Sequence, residues 1–276
     1  MTRGTHGVMI GPATSFGLGC SRLGSVLSTT ADGSEKLLAT AYELGVRAFD
    51  TADIYGQGDS ERALGRYISS LPDALIITKV GKRFPLRMRL LMPAKKLIQG
   101  VVSTSPAINR AVRQARGKRL PTCFEPAYLQ GAVERSLRRL SLDCLPVLML
   151  HGPTAEEIRE GAALDALCRL RDQGKVRAIG VSCEDVAAAQ AAVESNDVAA
   201  IQVPLSESEP SYLPAIAGAH ESQKFVIARE VLGGIKDRDA ASIRRALRWA
   251  AQQPGVDLAL LGTTKIVHLR EAVGAQ

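Results

Sequence analysis

A chain of 276 residues with 46% hydrophobic side chains has ample material for a core, and no uncharged apolar run nears the roughly 20 residues that span a bilayer, which excludes wholesale disorder and a transmembrane helix. That length is long for one ordinary domain but usual for a single α/β barrel. The formal charge of +7 is local: 82–119 holds eleven Lys and Arg and no Asp or Glu, which leaves 24 basic against 28 acidic residues elsewhere, a formal −4.

The N-terminal "MTRGTHGVMIGPATS" lacks the apolar stretch of a secretory signal. Short apolar runs then alternate with helical patterns. "FGLGC" (16–20) precedes a helix over 33–44, "VRAF" (46–49) one over 59–70, and "ALIIT" (74–78) leads into the basic stretch. A helix over 125–139, with Glu125-Pro126 as its first turn, comes next. "LPVLML" (145–150) is followed by a helix over 154–172, where Thr154 and Glu157 make a capping box. "VRAIGV", "VAAIQV", "FVIA" and "LALL" then alternate with helices over 185–195, 211–222, 239–253 and 266–273. The runs are continuously apolar, as in parallel strands buried on both faces. Eight strand–helix units predict a closed (β/α)8 TIM barrel, one domain over 1–276, with 82–122 as a basic insertion after the third strand. An open doubly wound sheet is the alternative, but no strand leads into G-x-G-x-x-G.

In such a barrel, reactive groups stand at the C-terminal strand ends. Asp50 ends "VRAF", Tyr55 lies five residues on, Lys79 ends "ALIIT" and His151 ends "LPVLML". Singly, these read as a helix-entry residue, a packing ring, a solvated charge and a core histidine. Together, four proton-handling groups on one rim point to a reaction site, and Asp59 or Ser60 is expected to cap the next helix. Cys20, Cys123, Cys144, Cys168 and Cys183 form no C-x-x-C pair and are odd in number. They argue for reduced thiols in a cytoplasmic protein, without disulfides or a metal site.

"FGLGCSRLG" (16–24), "AYELGVRAFDTADIYGQGDSERALG" (41–65), "ITKVG" (77–81), "LMLHGP" (148–153), "GKVRAIGVS" (174–182), "IQVP" (201–204) and "LLGTTKIVHLREA" (260–272) resemble, in order, the aldo-keto reductase superfamily. The resemblance implies a catalytic tetrad of Asp50, Tyr55, Lys79 and His151, with Tyr55 as general acid and Lys79 stabilising its phenolate. It places Ser182 and Gln202 at the nicotinamide carboxamide, and Leu232, Gly233 and Gly234 of "VLGG" at the pyrophosphate. Gly262, Thr263, Thr264 and Lys265 fall at the 2′-phosphate, with Arg270 a weaker contact. NADPH is the implied cofactor, NADH the alternative. Two positions depart from the family pattern: Cys183 stands where Asn is common, and Arg229 where a Tyr often stacks on the nicotinamide. Trp249, in a helical pattern, reads as outer packing.

The implied reaction is reduction of an aldehyde or ketone. Its rivals are an NAD-dependent sugar or alcohol dehydrogenase, and a non-catalytic nucleotide-binding barrel that presents its basic loop to a partner. The basic stretch reads as a solvated excursion or as a contact for an anionic ligand, lipid or protein. With Phe84 its single aromatic, no specific nucleic acid is expected.

Overall fold

A computed structural model describes residues 2–3, 9–10, 15–24, 31–84, 120–237 and 239–273. Eight parallel strands close into a barrel: β1 (Phe16–Gly19), β2 (Ala48–Asp50), β3 (Leu75–Val80), β4 (Leu145–His151), β5 (Val176–Ser182), β6 (Ala200–Pro204), β7 (Phe225–Arg229) and β8 (Leu258–Leu261), with β8 pairing back onto β1. The helices are α1 (Ala31–Glu43), α2 (Asp59–Tyr67), α3 (Pro126–Leu140), α4 (Ala155–Glu160), α5 (Ala162–Asp172), α6 (Val186–Glu194), α7 (Leu213–Glu221), α8 (Ala240–Ala251) and α9 (Ile266–Val273). A short antiparallel ladder, Thr2–Arg3 with Met9–Ile10, precedes the barrel and was not foreshadowed by any apolar run.

Two expectations about helices need correction. The pattern over 154–172 is two helices, because Gly161 adopts a left-handed conformation (φ 80°) that ends α4 and starts α5. The Thr154–Glu157 capping box sits at the start of α4. The start of α2 is capped by neither Asp59 nor Ser60: its N-cap is Gly58, and the Ser60 hydroxyl instead donates to Cys20 O at 2.9 Å while accepting from Thr51 Oγ1 at 2.8 Å. That hydroxyl chain ties the β1–α1 and β2–α2 loops together.

Strand alternation builds two layers of core. Outward residues such as Phe49, Leu148, Ile179 and Ile201 pack under the helices, where Trp249 joins them. Inward residues Ala48, Ile77, Val147, Met149, Ala178, Phe225, Ile227, Leu258 and Leu260 fill the barrel. Continuing the same alternation to the C-terminal ends places Asp50, Lys79, His151, Ser182, Gln202 and Arg229 above that filling. The inward set changes from apolar to polar at one level, and that level is the floor of the candidate site.

Candidate active site

Lys79 and Asp50 occupy neighbouring strands and are 1% and 5% exposed. Lys79 Nζ donates to Asp50 Oδ1 at 2.5 Å and to Thr51 O at 3.0 Å. Gln202 Nε2 donates to the same Asp50 Oδ1 at 2.8 Å, and Ser182 Oγ donates to Gln202 Oε1 at 2.9 Å. A buried charge pair needs further hydrogen bonds to offset its desolvation, and Gln202 and the Thr51 carbonyl supply one to each partner. Burial pulls the Lys79 ammonium below its usual pKa, and the Asp50 carboxylate opposes that pull.

Tyr55 and His151 lie over this floor. Their rings meet edge-to-face at a centroid separation of 5.8 Å, and Lys79 Nζ is 5.3 Å from the Tyr55 ring centroid. Burial and the Asp50 carboxylate hold the phenol proton on, above the ordinary tyrosine value, while Arg229 pulls the other way. The resting phenol is therefore not the acidified one expected from Lys79 alone, whose charge is already engaged by Asp50. His151 is 6% exposed, and its Nδ1 has no hydrogen-bond partner among the described residues. Burial, then Lys82, Lys79 and Arg229, drive its pKa well below the usual histidine value, so it is a neutral imidazole.

The turn that carries Tyr55 explains the glycines around it. Tyr55–Gly58 forms a single tight turn in which Gly56 (φ 58°) and Gln57 (φ 63°) are left-handed. A Cβ at Gly56 would lie 2.7 Å from Leu23 O. The turn thus packs backbone to backbone on the β1–α1 loop, and only glycine fits there. Gly56→Ala is expected to lower stability by about 2 kcal/mol, some 4–8 °C in melting temperature, and to reduce turnover by displacing Tyr55. A thermal melt that matches wild type would show that the turn relaxes freely.

Behind Tyr55, Glu61 is fully buried, accepting from Thr78 Oγ1 at 2.6 Å and from Arg139 Nε at 2.6 Å. Asp53, whose Oδ1 has no partner among the described residues, faces this group. Burial, then Glu61, raise its pKa from 3.8 to about 8, against the pull of Arg139 and Arg135. A raised carboxyl pKa means the folded state binds the proton more tightly. Its contribution is fully present below pH 3.8 and is lost as pH rises to about 8. Asp53→Asn should therefore leave the melting temperature near wild type at pH 4 and raise it at pH 8, by the equivalent of about 1 kcal/mol or more. An equal difference at both pH values would refute the buried proton.

The other expected contacts are placed as follows. Arg229 ends β7 and donates from Nη2 to Cys183 O at 2.8 Å, with Glu230 against its Nη1. Cys183 is fully buried, its thiol pushed up to about 12 chiefly by burial, so its side chain is inert. Val231 to Gly234 form a turn, beside which Leu232 packs on the core. A Cβ at Gly233 would meet Ser206 Oγ at 2.7 Å, and one at Gly234 would meet Ser208. A contact within the chain thus accounts for these glycines. Gly262 to Lys265 link β8 to α9, where Thr263 Oγ1 accepts from Lys265 N at 3.1 Å and a Cβ at Gly262 would meet open space. Thr264 lies in the same loop, and Arg270 is exposed in the last turn of α9.

The sequence reading missed the Lys82–Glu184 ion pair, which joins the β3 and β5 loops across the rim. It also missed the Gln202–Asp50 contact, which spans 152 positions. No local pattern marks either. The basic insertion falls mostly on 85–119, outside the described residues. Its two ends meet in an antiparallel bridge, Lys82 with Thr122, flanked by Arg83 N to Pro121 O at 2.8 Å and Cys123 N to Gly81 O at 2.7 Å.

Proton-handling groups gather at the C-terminal mouth of a closed (β/α)8 barrel, the face where this architecture carries its reactive residues. The family model described as "Aldo/keto reductase family" matches residues 15–223. The chain is 28% identical over 193 residues to D-threo-aldose 1-dehydrogenase from Pseudomonas sp, covering 68% of this chain and 55%, about half, of that one. It is 28% identical over 266 residues to pyridoxine 4-dehydrogenase of Escherichia coli (strain K12), covering 87% and 80%. Among solved structures, the glycerol dehydrogenase AKR11B4 from Gluconobacter oxydans shares the fold with a TM-score of 0.75 and 21% identity, over 100% of this chain and 90% of that one. This chain belongs to the aldo/keto reductase family. Its chemistry is that of an oxidoreductase using a nicotinamide cofactor on carbonyl compounds.

Proposed function

We propose that the chain reduces an aldehyde or ketone to an alcohol with Tyr55 as general acid, Lys79 and Asp50 as its electrostatic support and His151 as the group that orients the carbonyl. The observation that carries this reading is the buried Lys79–Asp50 pair beneath Tyr55 and a neutral His151. A bound reduced nicotinamide supplies the hydride. The residues do the rest. The Nδ1 of His151, without a partner among the described residues, supports this role, and a neutral ring can hydrogen-bond a carbonyl oxygen without importing charge. Tyr55 keeps its proton at neutral pH and is thus loaded to give it to the alkoxide-like oxygen, a stronger base than phenolate. As phenolate character develops, the Lys79 ammonium 5.3 Å from the ring centre stabilises it in a poorly solvated setting.

The residues fit a nicotinamide cofactor. Ser182, 3% exposed, sits at the floor's edge to meet the carboxamide, and Gln202, 0% exposed and committed to Asp50, supports it from behind. The open space at Gly262, with exposed Lys265 at the start of α9, suits a phosphate contact together with Thr263 and Thr264. Lys265 favours the extra phosphate of NADPH over NADH. Leu232, Gly233 and Gly234 would hold the pyrophosphate, Cys183 would contribute backbone only, and Arg229, held by Cys183 O, would stand at the nicotinamide, where its charge would favour the reduced ring. Five free cysteines, two of them buried, suit the reducing cytoplasm, and no described helix is long and apolar enough to cross a membrane.

Several relatives are named dehydrogenases, which favours a second reading, oxidation of a sugar or alcohol. The same residues would serve, but Tyr55 would then have to act as a phenolate, and the burial that holds its proton on disfavours that direction. The deciding experiment follows NADPH absorbance with an aromatic aldehyde and a sugar aldehyde, for wild type and Tyr55→Phe. Wild-type turnover that vanishes in the variant supports the proposal. Cofactor binding without turnover of either aldehyde, in either direction, overturns it.

A further inference from the structure

On the outside of the barrel, α2 and α3 enclose an open cleft of about 440 Å³ lined by Arg62, Arg66, Arg135, Arg138 and Arg139. The spacing explains the convergence: residues three and four apart share a helix face, and both helices turn their arginine face to the same gap. Two guanidiniums have carboxylate partners, Arg139 with buried Glu61 and Arg62 with Asp59 at 2.8 Å. No Asp or Glu among the described residues pairs with Arg66, Arg135 or Arg138, and the undescribed segments contain neither residue type. Three cations facing one small gap repel one another unless an anion enters. Arg139 cannot be drawn away cheaply, because it is the cation paired with buried Glu61 among the described residues, and Glu61 is fixed to Thr78 on β3. The cleft floor is thus rigid, while Arg135 and Arg138 are exposed and able to close on a ligand.

We propose that this cleft binds a small phosphate-bearing anion at a site separate from the barrel mouth. Planar guanidiniums pair bidentately with phosphate oxygens, and several of them around a pocket of small-molecule size fit a compact ligand of high charge density.

The test is isothermal titration of the full chain, saturated with NADPH so that the cofactor's own phosphate contacts are filled. Pyrophosphate and fructose 1,6-bisphosphate are the probes, at ionic strength held constant with potassium chloride. Saturable one-site binding is expected, the tighter probe indicating whether free or ester-borne phosphate is preferred. Arg135→Gln with Arg138→Gln should weaken it about a hundredfold, since each lost charge-assisted contact is worth roughly tenfold. That variant keeps Arg139, Glu61 and all of 82–119, so unchanged NADPH affinity and melting temperature confirm an intact barrel. Absence of saturable binding in wild type, equal binding in the variant, or binding of a single-stranded oligonucleotide but of neither probe would overturn the proposal.

Discussion

Tyr55→Phe is expected to lower kcat by about 10²–10⁴-fold, the range typical of removing a positioned general acid, while leaving the fold and the cofactor affinity intact. The fold should survive because the phenol hydroxyl has no hydrogen-bond partner among the described residues. Its removal leaves no buried group stranded, so stability should change by no more than about 0.5 kcal/mol. The ring itself keeps its edge-to-face contact with His151. Steady-state turnover, NADPH fluorescence titration and a thermal melt read the three quantities separately. Near-normal kcat in the variant would remove Tyr55 from the chemistry.

Lys79→Met should be damaging in two distinct ways. Removing the ammonium strands the Asp50 carboxylate in a site 5% exposed, with Gln202 Nε2 as its remaining side-chain donor. Breaking a buried pair on one side costs about 3–5 kcal/mol, so the melting temperature should fall by roughly 10 °C. Turnover should also collapse, because nothing then stabilises the developing phenolate. The double variant Lys79→Met with Asp50→Asn separates the two losses. Asn still accepts from Gln202 and carries no charge, so stability should largely return while activity does not. A single Lys79→Met variant as stable as wild type would mean that Asp50 is not ionised in the folded chain.

The barrel was legible because its strands are marked by composition: eight apolar runs buried on both faces, each paired with a helix, favour closure over an open doubly wound sheet. Asp50, Lys79 and His151 were legible because position at a strand's C-terminal end is a one-dimensional property, and strand alternation does the rest. Gly161 shows where such reading stops. Apolar spacing continues across it from α4 to α5, and only its left-handed φ breaks the helix. Gln202 marks a different limit. Placed by motif at a cofactor amide, it spends its own amide on Asp50, a pairing created by barrel closure between residues 152 apart. The arginine cleft is of the same kind: each helix shows an ordinary polar face, and the concentration of charge exists only once α2 and α3 pack side by side.

The hydrogen-bonded stem at Lys82 and Thr122 bears on how readily this chain can be re-equipped. Gly81 and Cys123 are already held together where the excursion leaves and rejoins the barrel. With the ends fixed, the length of chain between them enters the free energy only logarithmically, about 0.6 kcal/mol for each doubling. The eight strands are thus indifferent to what the stem carries, whether a few residues or several dozen. A change in the length of the segment between Lys82 and Thr122 is therefore expected to leave the barrel's melting temperature nearly unchanged.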